Sequence, residues 1–166
     1  MKKILYVLLL LWSFNSFAQE LMEHDFDKNI SLLVPEDSAE GEQSGLLFVR
    51  GSIGEDTFVV SKSEKGSATL SNSDDNGFLK FFQGVRDGSL KSSKGKALKE
   101  SMIEISGVKT YSFSYSMLID NKTKTVDQYI FFYKKTIYTL QFVSPEKASE
   151  SFENTKKKIL DSVKMH

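Results

Sequence analysis

Two histidines are the only side chains whose ordinary pKa suits proton transfer near neutral pH, and their positions limit the catalysis this chain can hold. His24 lies close to the expected mature N-terminus and His166 is the final residue. Both positions are expected to fray. Serines are plentiful, but a serine nucleophile needs a base beside it. No Gly-x-Ser-x-Gly elbow occurs. With no cysteine and only these histidines, zinc ligation has no ligand set. Asp74-Asp75, helped by Glu55 and Asp56, could hold a hard cation such as calcium, but the Asp-x-Asp-x-Asp-Gly spacing is missing. An acid pair opening a helix is the better account. Gly51-Ser52-Ile53-Gly54 has no following Lys-Ser/Thr, so it reads as a hairpin turn and not a phosphate loop. The chain is therefore expected not to be an enzyme and to carry neither cofactor nor metal.

Charge narrows the partners. The 166 residues hold 22 basic and 22 acidic groups. Residues 1–18 carry Lys2 and Lys3 but no acid, so 148 residues remain without them, with 20 basic and 22 acidic groups. A slightly acidic chain is no nucleic-acid binder. The lysines at 91, 94, 96 and 99 could meet an anionic partner, though a solvated loop explains them as well. Asn29-Ile30-Ser31 and Asn121-Lys122-Thr123 fit the glycosylation pattern, which matters only in a eukaryotic secretory host.

The first 18 residues have the three parts of a secretory leader: Lys2-Lys3, an apolar run from Ile4 to Trp12, and Ser16-Phe17-Ala18 before Gln19. The apolar run is shorter than the ~20 residues of a membrane span. No cysteine stands at the junction for lipid attachment, and Trp12 would leave with the leader. The mature protein is expected to be soluble, in the periplasm or outside the cell.

The remaining chain must supply the elements that position any site. Gln19 to Asp25 is polar and reads as a loose segment before a domain spanning 26–166. Phe26 to Val34 reads as a strand ending at Pro35, and Glu36 to Gly45 as an acidic connection. Leu46 to Val49 and Thr57 to Val60 suggest a hairpin. After the cap-forming cluster Ser71 to Asp75, Phe78, Phe82 and Val85 fall at i, i+4 and i+7, which predicts a helix, with Gly88 and Gly95 marking its end and the loop that follows. Tyr111, Phe113, Tyr115 and Met117 alternate with Ser112, Ser114 and Ser116, the period of a strand. Ala97–Ile105, Val108–Ile119, Val126–Tyr133 and Thr136–Val143 make a four-stranded antiparallel meander. Ala148, Phe152, Thr155, Ile159 and Val163 predict a closing helix, with Ser144 as its cap and Pro145 in its first turn. Ile130 and Phe132 point to one face of their strand, Tyr129, Phe131 and Tyr133 to the other. A sheet apolar on both faces needs two covers, and two amphipathic helices are available. The expected fold is α+β, an α/β/α sandwich around an antiparallel meander sheet.

This order of elements, with Gly107-x-x-x-Tyr111, Tyr138-x-Leu140-x-Phe142 and Ile159-Leu160-x-Ser162, resembles the PsbP-like fold family over roughly Phe26 to Lys164. That fold is shared by a photosystem oxygen-evolving subunit, a Ran-binding nuclear import factor and many small exported bacterial proteins. The Pro-x-x-Trp common early in the group is here Pro35-Glu36-Asp37-Ser38. The resemblance implies a non-enzymatic adaptor or assembly role with no catalytic set to carry over.

Two readings of function stay open. One is an exported, cofactor-free binding or assembly module, monomeric, whose partner is another envelope or secreted protein. The other is a small-molecule carrier with an aromatic pocket between sheet and helix. Tyr111, Tyr115, Tyr129, Tyr133 and Tyr138 are the candidate lining of such a groove, and core packing is their competing role.

Overall fold

The computed structural model of the protein describes residues 20–166, so the expected leader lies outside the described residues. Seven strands pair antiparallel in one sheet, in the order β3 (Ala39–Gln43), β4 (Leu46–Ile53), β5 (Asp56–Ser63), β9 (Thr136–Pro145), β8 (Lys122–Tyr133), β7 (Val108–Ile119) and β6 (Lys96–Ile105). The meander pairs as its alternation demands, with Tyr111 opposite Ile130 and Phe131 opposite Tyr138. The hairpin β4–β5 joins it along β9, where Phe58 faces Phe142. Two-residue turns close all five hairpins of this sheet, and each has at least one residue at positive φ, as the strand twist favours.

Each sheet face has its own cover. Phe82 of helix α2 (Asp75–Ser93) and Leu70 of the short preceding helix α1 (Ser67–Ser71) join Tyr111, Phe113, Tyr115, Val126 and Ile130 in one core cluster. Helix α3 (Glu150–Ser162) brings Phe152 and Ile159 to Phe131, Tyr138, Leu140 and Phe142 on the opposite face. A small second sheet shares that side, in the order β1 (Leu21–Asp25), β2 (Ile30–Pro35) and β10 (Lys164–Met165). From it, Ile30, Leu32 and Val34 enter the same core. The α+β architecture with a helix on each face is as the supply of apolar faces requires.

Four local expectations change. Residues 21–25 are not loose: Leu21–Asp25 pairs in full with β2, and its polar composition suits an outer strand. The acidic connection contains β3, held by the Ser44-Gly45 turn against β4 despite side chains with little preference for strands. The first helix runs through Gly84 and Gly88 to Ser93, because Phe78, Phe82 and Val85 anchor its inner face. The last helix starts at Glu150, not beside Ser144. Strand β9 continues to Pro145 opposite Lys124, beyond the point where β5 stops pairing at Val143, so the missing proline donor leaves no gap in the ladder. Ser149 caps the helix instead, its Oγ accepting from the Phe152 amide at 3.1 Å.

Candidate functional site

The five candidate tyrosines do not form one groove. Residue parity within and between strands sends them to opposite faces of the sheet. Tyr111 and Tyr115 pack under α2, whereas Tyr129, Tyr133 and Tyr138 lie on the α3 side. Tyr111 and Tyr138 are almost completely buried, at 1% and 0% exposure, which rules out an open aromatic pocket around them. Tyr111 stacks on Phe82 at 6.0 Å between centroids, and Tyr138 on Phe131 at 5.3 Å. Tyr115 stacks on Phe113, Tyr129 meets Phe142 edge-on, and Tyr133 donates its hydroxyl to a backbone oxygen of His166 at 2.9 Å. These rings are core, and none of them lines the clefts described below.

Their hydroxyls brace neighbouring elements. Tyr111 donates to Glu100 of β6 at 2.5 Å, and Arg86 of α2 binds the same carboxylate. The Tyr111 hydrogen bond, then Arg86, hold the Glu100 carboxyl below its ordinary pKa. Burial, reinforced by Glu100, pushes the Tyr111 hydroxyl up to about 12.

The histidines are ordered rather than frayed. His24 belongs to β1, with Nε2 3.6 Å from Glu40. His166 hydrogen-bonds through its backbone amide to the Asn29 carbonyl at 2.8 Å, and its Nε2 lies 2.9 Å from Ser31 Oγ. The chain positions these two groups 135 residues apart, so spacing could not have paired them. The contact is a serine–histidine pair in form, but among the described residues no hydrogen bond orients the other imidazole nitrogen. The cleft beside Ser31 has a volume of only about 130 Å³, small for a substrate pocket.

The acids considered for a cation are engaged separately. Asp74 caps α2 through the Gly77 amide at 2.8 Å, Asp75 pairs with Lys109 at 2.8 Å, and Asp56 pairs with Lys124 at 3.4 Å. Among the described residues no group of three or more such side chains is arranged to hold a metal ion. No helix among them is long and apolar enough to cross a membrane.

Besides a cleft of about 580 Å³ beside the β4–β5 and β7–β8 turns, whose Asp56 and Lys124 already pair with each other, two open clefts stand as candidates among the described residues. The first lies where α2 meets the free edge of the large sheet. Phe78, Leu79, Met102 and Ile103 supply its apolar wall, with Asp75 and Lys109 at the rim, around a volume of about 460 Å³. Leu79, Met102 and Ile103 are 36%, 45% and 36% exposed, and Leu98 on the same strand is 54% exposed. Among the described residues β6 is the end of the sheet, and one side of its backbone has no strand partner there. A bulge between Ala97 and Lys99 interrupts its pairing, and Glu100 to Ile105 then runs in regular register. Lys91, Lys94, Lys96 and Lys99 are all exposed around the first half of this edge. Sequence periodicity could not reveal this site, because its apolar residues are divided between a helix face and a strand edge. The second cleft, polar and about 750 Å³, opens between the start of β2, the end of β5 and the β8–β9 turn.

No family model matches the chain, and no curated protein matches its sequence. Solved structures do match. Cyanobacterial PsbP from Synechocystis sp. PCC 6803 aligns with a TM-score of 0.65 at 11% identity, covering 89% of this chain and 94% of that one. LpqN of Mycobacterium tuberculosis, described as involved in cell envelope biogenesis, aligns at 0.53 and 17% identity, covering 88% and 90%. A protein from Bacteroides thetaiotaomicron VPI-5482 aligns at 0.52 and 13% identity over 82% of this chain, which spans 45% of that protein's length. Agreement of topology at such low identity is agreement of fold. The chain has the PsbP-like fold.

Proposed function

We propose that the protein is an exported, cofactor-free binding module, without catalysis, that takes an extended segment of another envelope or secreted protein along β6. The observation that supports this reading is the continuity of an unpaired strand edge with the apolar cleft of Phe78, Leu79, Met102 and Ile103. An added strand would gain main-chain hydrogen bonds from the edge, while its alternate side chains enter the cleft. Charge selects the segment. Lysines 94, 96 and 99 flank one end of the edge and apolar residues the other, so the complementary segment is acidic at one end and apolar at the other. The part of LpqN in cell envelope biogenesis is compatible with such a task.

A photo-crosslinker at Met102, and a second at exposed Thr69 on α1 as control, tests the site in the native host. Native mass spectrometry of the gently isolated mature protein then reads what is bound. The expected result is a protein-sized addition that crosslinks from 102 and not from 69, and that Met102→Asp removes without moving the melting temperature. A complex that survives Met102→Asp, or an added mass of a few hundred daltons in place of a protein, would overturn the assignment.

A further inference from the structure

We propose that the polar cleft at the β8–β9 turn binds a small molecule carrying two or more adjacent oxyanionic charges, phosphate or carboxylate. Its walls include Lys28, Lys62, Lys134 and Lys135 against only two acids, Asp27 and Glu64, so these side chains are net positive by two in a chain whose formal net charge is zero. One of those acids is already neutralised. The Asp27 carboxylate accepts from the Asn29 and Ile30 amides at 2.8 and 3.1 Å, from Lys62 Nζ at 2.9 Å and from the Tyr138 hydroxyl at 3.0 Å. Asp27 and Lys62 thus form a rigid, charge-balanced floor, and the net positive charge belongs to the rim. Lys28 and Lys135 are exposed there and make no ion pair among the described residues. Lys134 is engaged with a backbone oxygen of His166, the last residue of the sequence, so Lys28 and Lys135 are the cations that the rim leaves for a ligand. The volume, about 750 Å³, is within the range of small-molecule sites.

The turn itself gives a second, independent reason. Ser44-Gly45, Ser106-Gly107 and Asp120-Asn121 fill equivalent turns with residues that tolerate positive φ. At the cleft, both positions are lysine, with φ of 44° and 61°. Two long side chains in the left-handed region, carrying like charges side by side, are a poor choice for folding alone. Strain of this kind gathers where side chains serve a ligand.

Titration calorimetry with inorganic pyrophosphate, and separately with citrate, tests the site at low salt. Saturable one-to-one binding that weakens as salt rises is expected from at least one of them. Lys28→Ala and Lys135→Gly should each weaken it by about tenfold or more. Glycine accepts the backbone at 135, so that variant should melt no lower than the parent, which separates lost binding from lost fold. Lys157→Ala, on the outer face of α3, should bind as the parent does. Binding of pyrophosphate alone would name phosphorylated ligands, and binding of citrate as well would name oxyanions more broadly. No saturable binding of either probe, or equal affinity in the Lys28 and Lys135 variants, would overturn the proposal.

Discussion

At the scale of single residues, the most consequential side chain is Asp27. Four donors converge on its carboxylate from its own loop, from β5 and from β9. Removing it leaves buried donors without an acceptor, and Asp27→Ala should lower stability in urea unfolding by about 2–4 kcal/mol. Its titration gives a sign as well. Burial raises its pKa, but the Lys62 bond, the two amides and Tyr138 together hold it below the ordinary value. A folded pKa below the unfolded one, about 3.9, means stability that is complete above that value and lost as pH falls through the folded pKa. Asp27→Asn should therefore show a flatter loss of stability below about pH 4 than the parent, measured by urea midpoints across pH. None of this was visible in the sequence. Asp27 and Tyr138 are 111 residues apart, and a lone acid before an apolar run looks like a solvated one.

At the scale of elements, the α3 side of β7 poses a polar problem that one lysine solves. The alternation that buries Tyr111, Phe113 and Tyr115 under α2 sends Ser112 and Ser114, also buried, to the other face. Ser114 donates to Asp127, and Lys156 of α3 reaches the same carboxylate at 2.8 Å with side chains only 11% and 12% exposed. Burial lowers the Lys156 pKa, but Asp127 and then Glu153 outweigh it and hold the ammonium charged. Removing the cation strands a buried carboxylate, so Lys156→Met should cost about 3–5 kcal/mol. Adding Asp127→Asn should recover part of that loss in a double-mutant cycle, because the charge left behind is gone. The capping residue is also testable by element. Ser149→Ala should destabilise by about 1 kcal/mol in chemical unfolding, as expected when an N-cap oxygen is lost. The 3.6-residue pattern identified this helix from its apolar face, but two serines precede it. Only the pairing of Pro145 with Lys124 decides that Ser144 belongs to a strand.

For the whole molecule, stability should be graded across the large sheet. Strands β8 and β9 are paired on both sides and covered on both faces, whereas β3 and β6 are its ends. Native-state hydrogen exchange should find the slowest amides in Phe131 and Leu140 and much faster exchange in β3 and the outward amides of β6. Uniform protection across all seven strands would contradict that order. The same gradient leaves the outward backbone groups of β6, like those of β3, without a strand partner among the described residues, and the proposed docking along β6 rests on the apolar cleft beside it as well.

What the amino-acid sequence determined by itself was the inventory of elements with strong periodicity and the count of faces needing cover. The alternation at 111–117 and the aromatic run at 129–133 specify buried strands, and the spacing of Phe78, Phe82 and Val85 specifies a helix, because each pattern is local and short-range. The strands at 21–25 and 39–43 were not legible. They carry little apolar signal and form only because a neighbour offers a free edge. The sites were decided by tertiary structure alone. Lys28, Lys62 and Lys135 come from three distant segments, as do Leu79 and Met102 from two, and only the closing of the sheet and the seating of α2 bring them together.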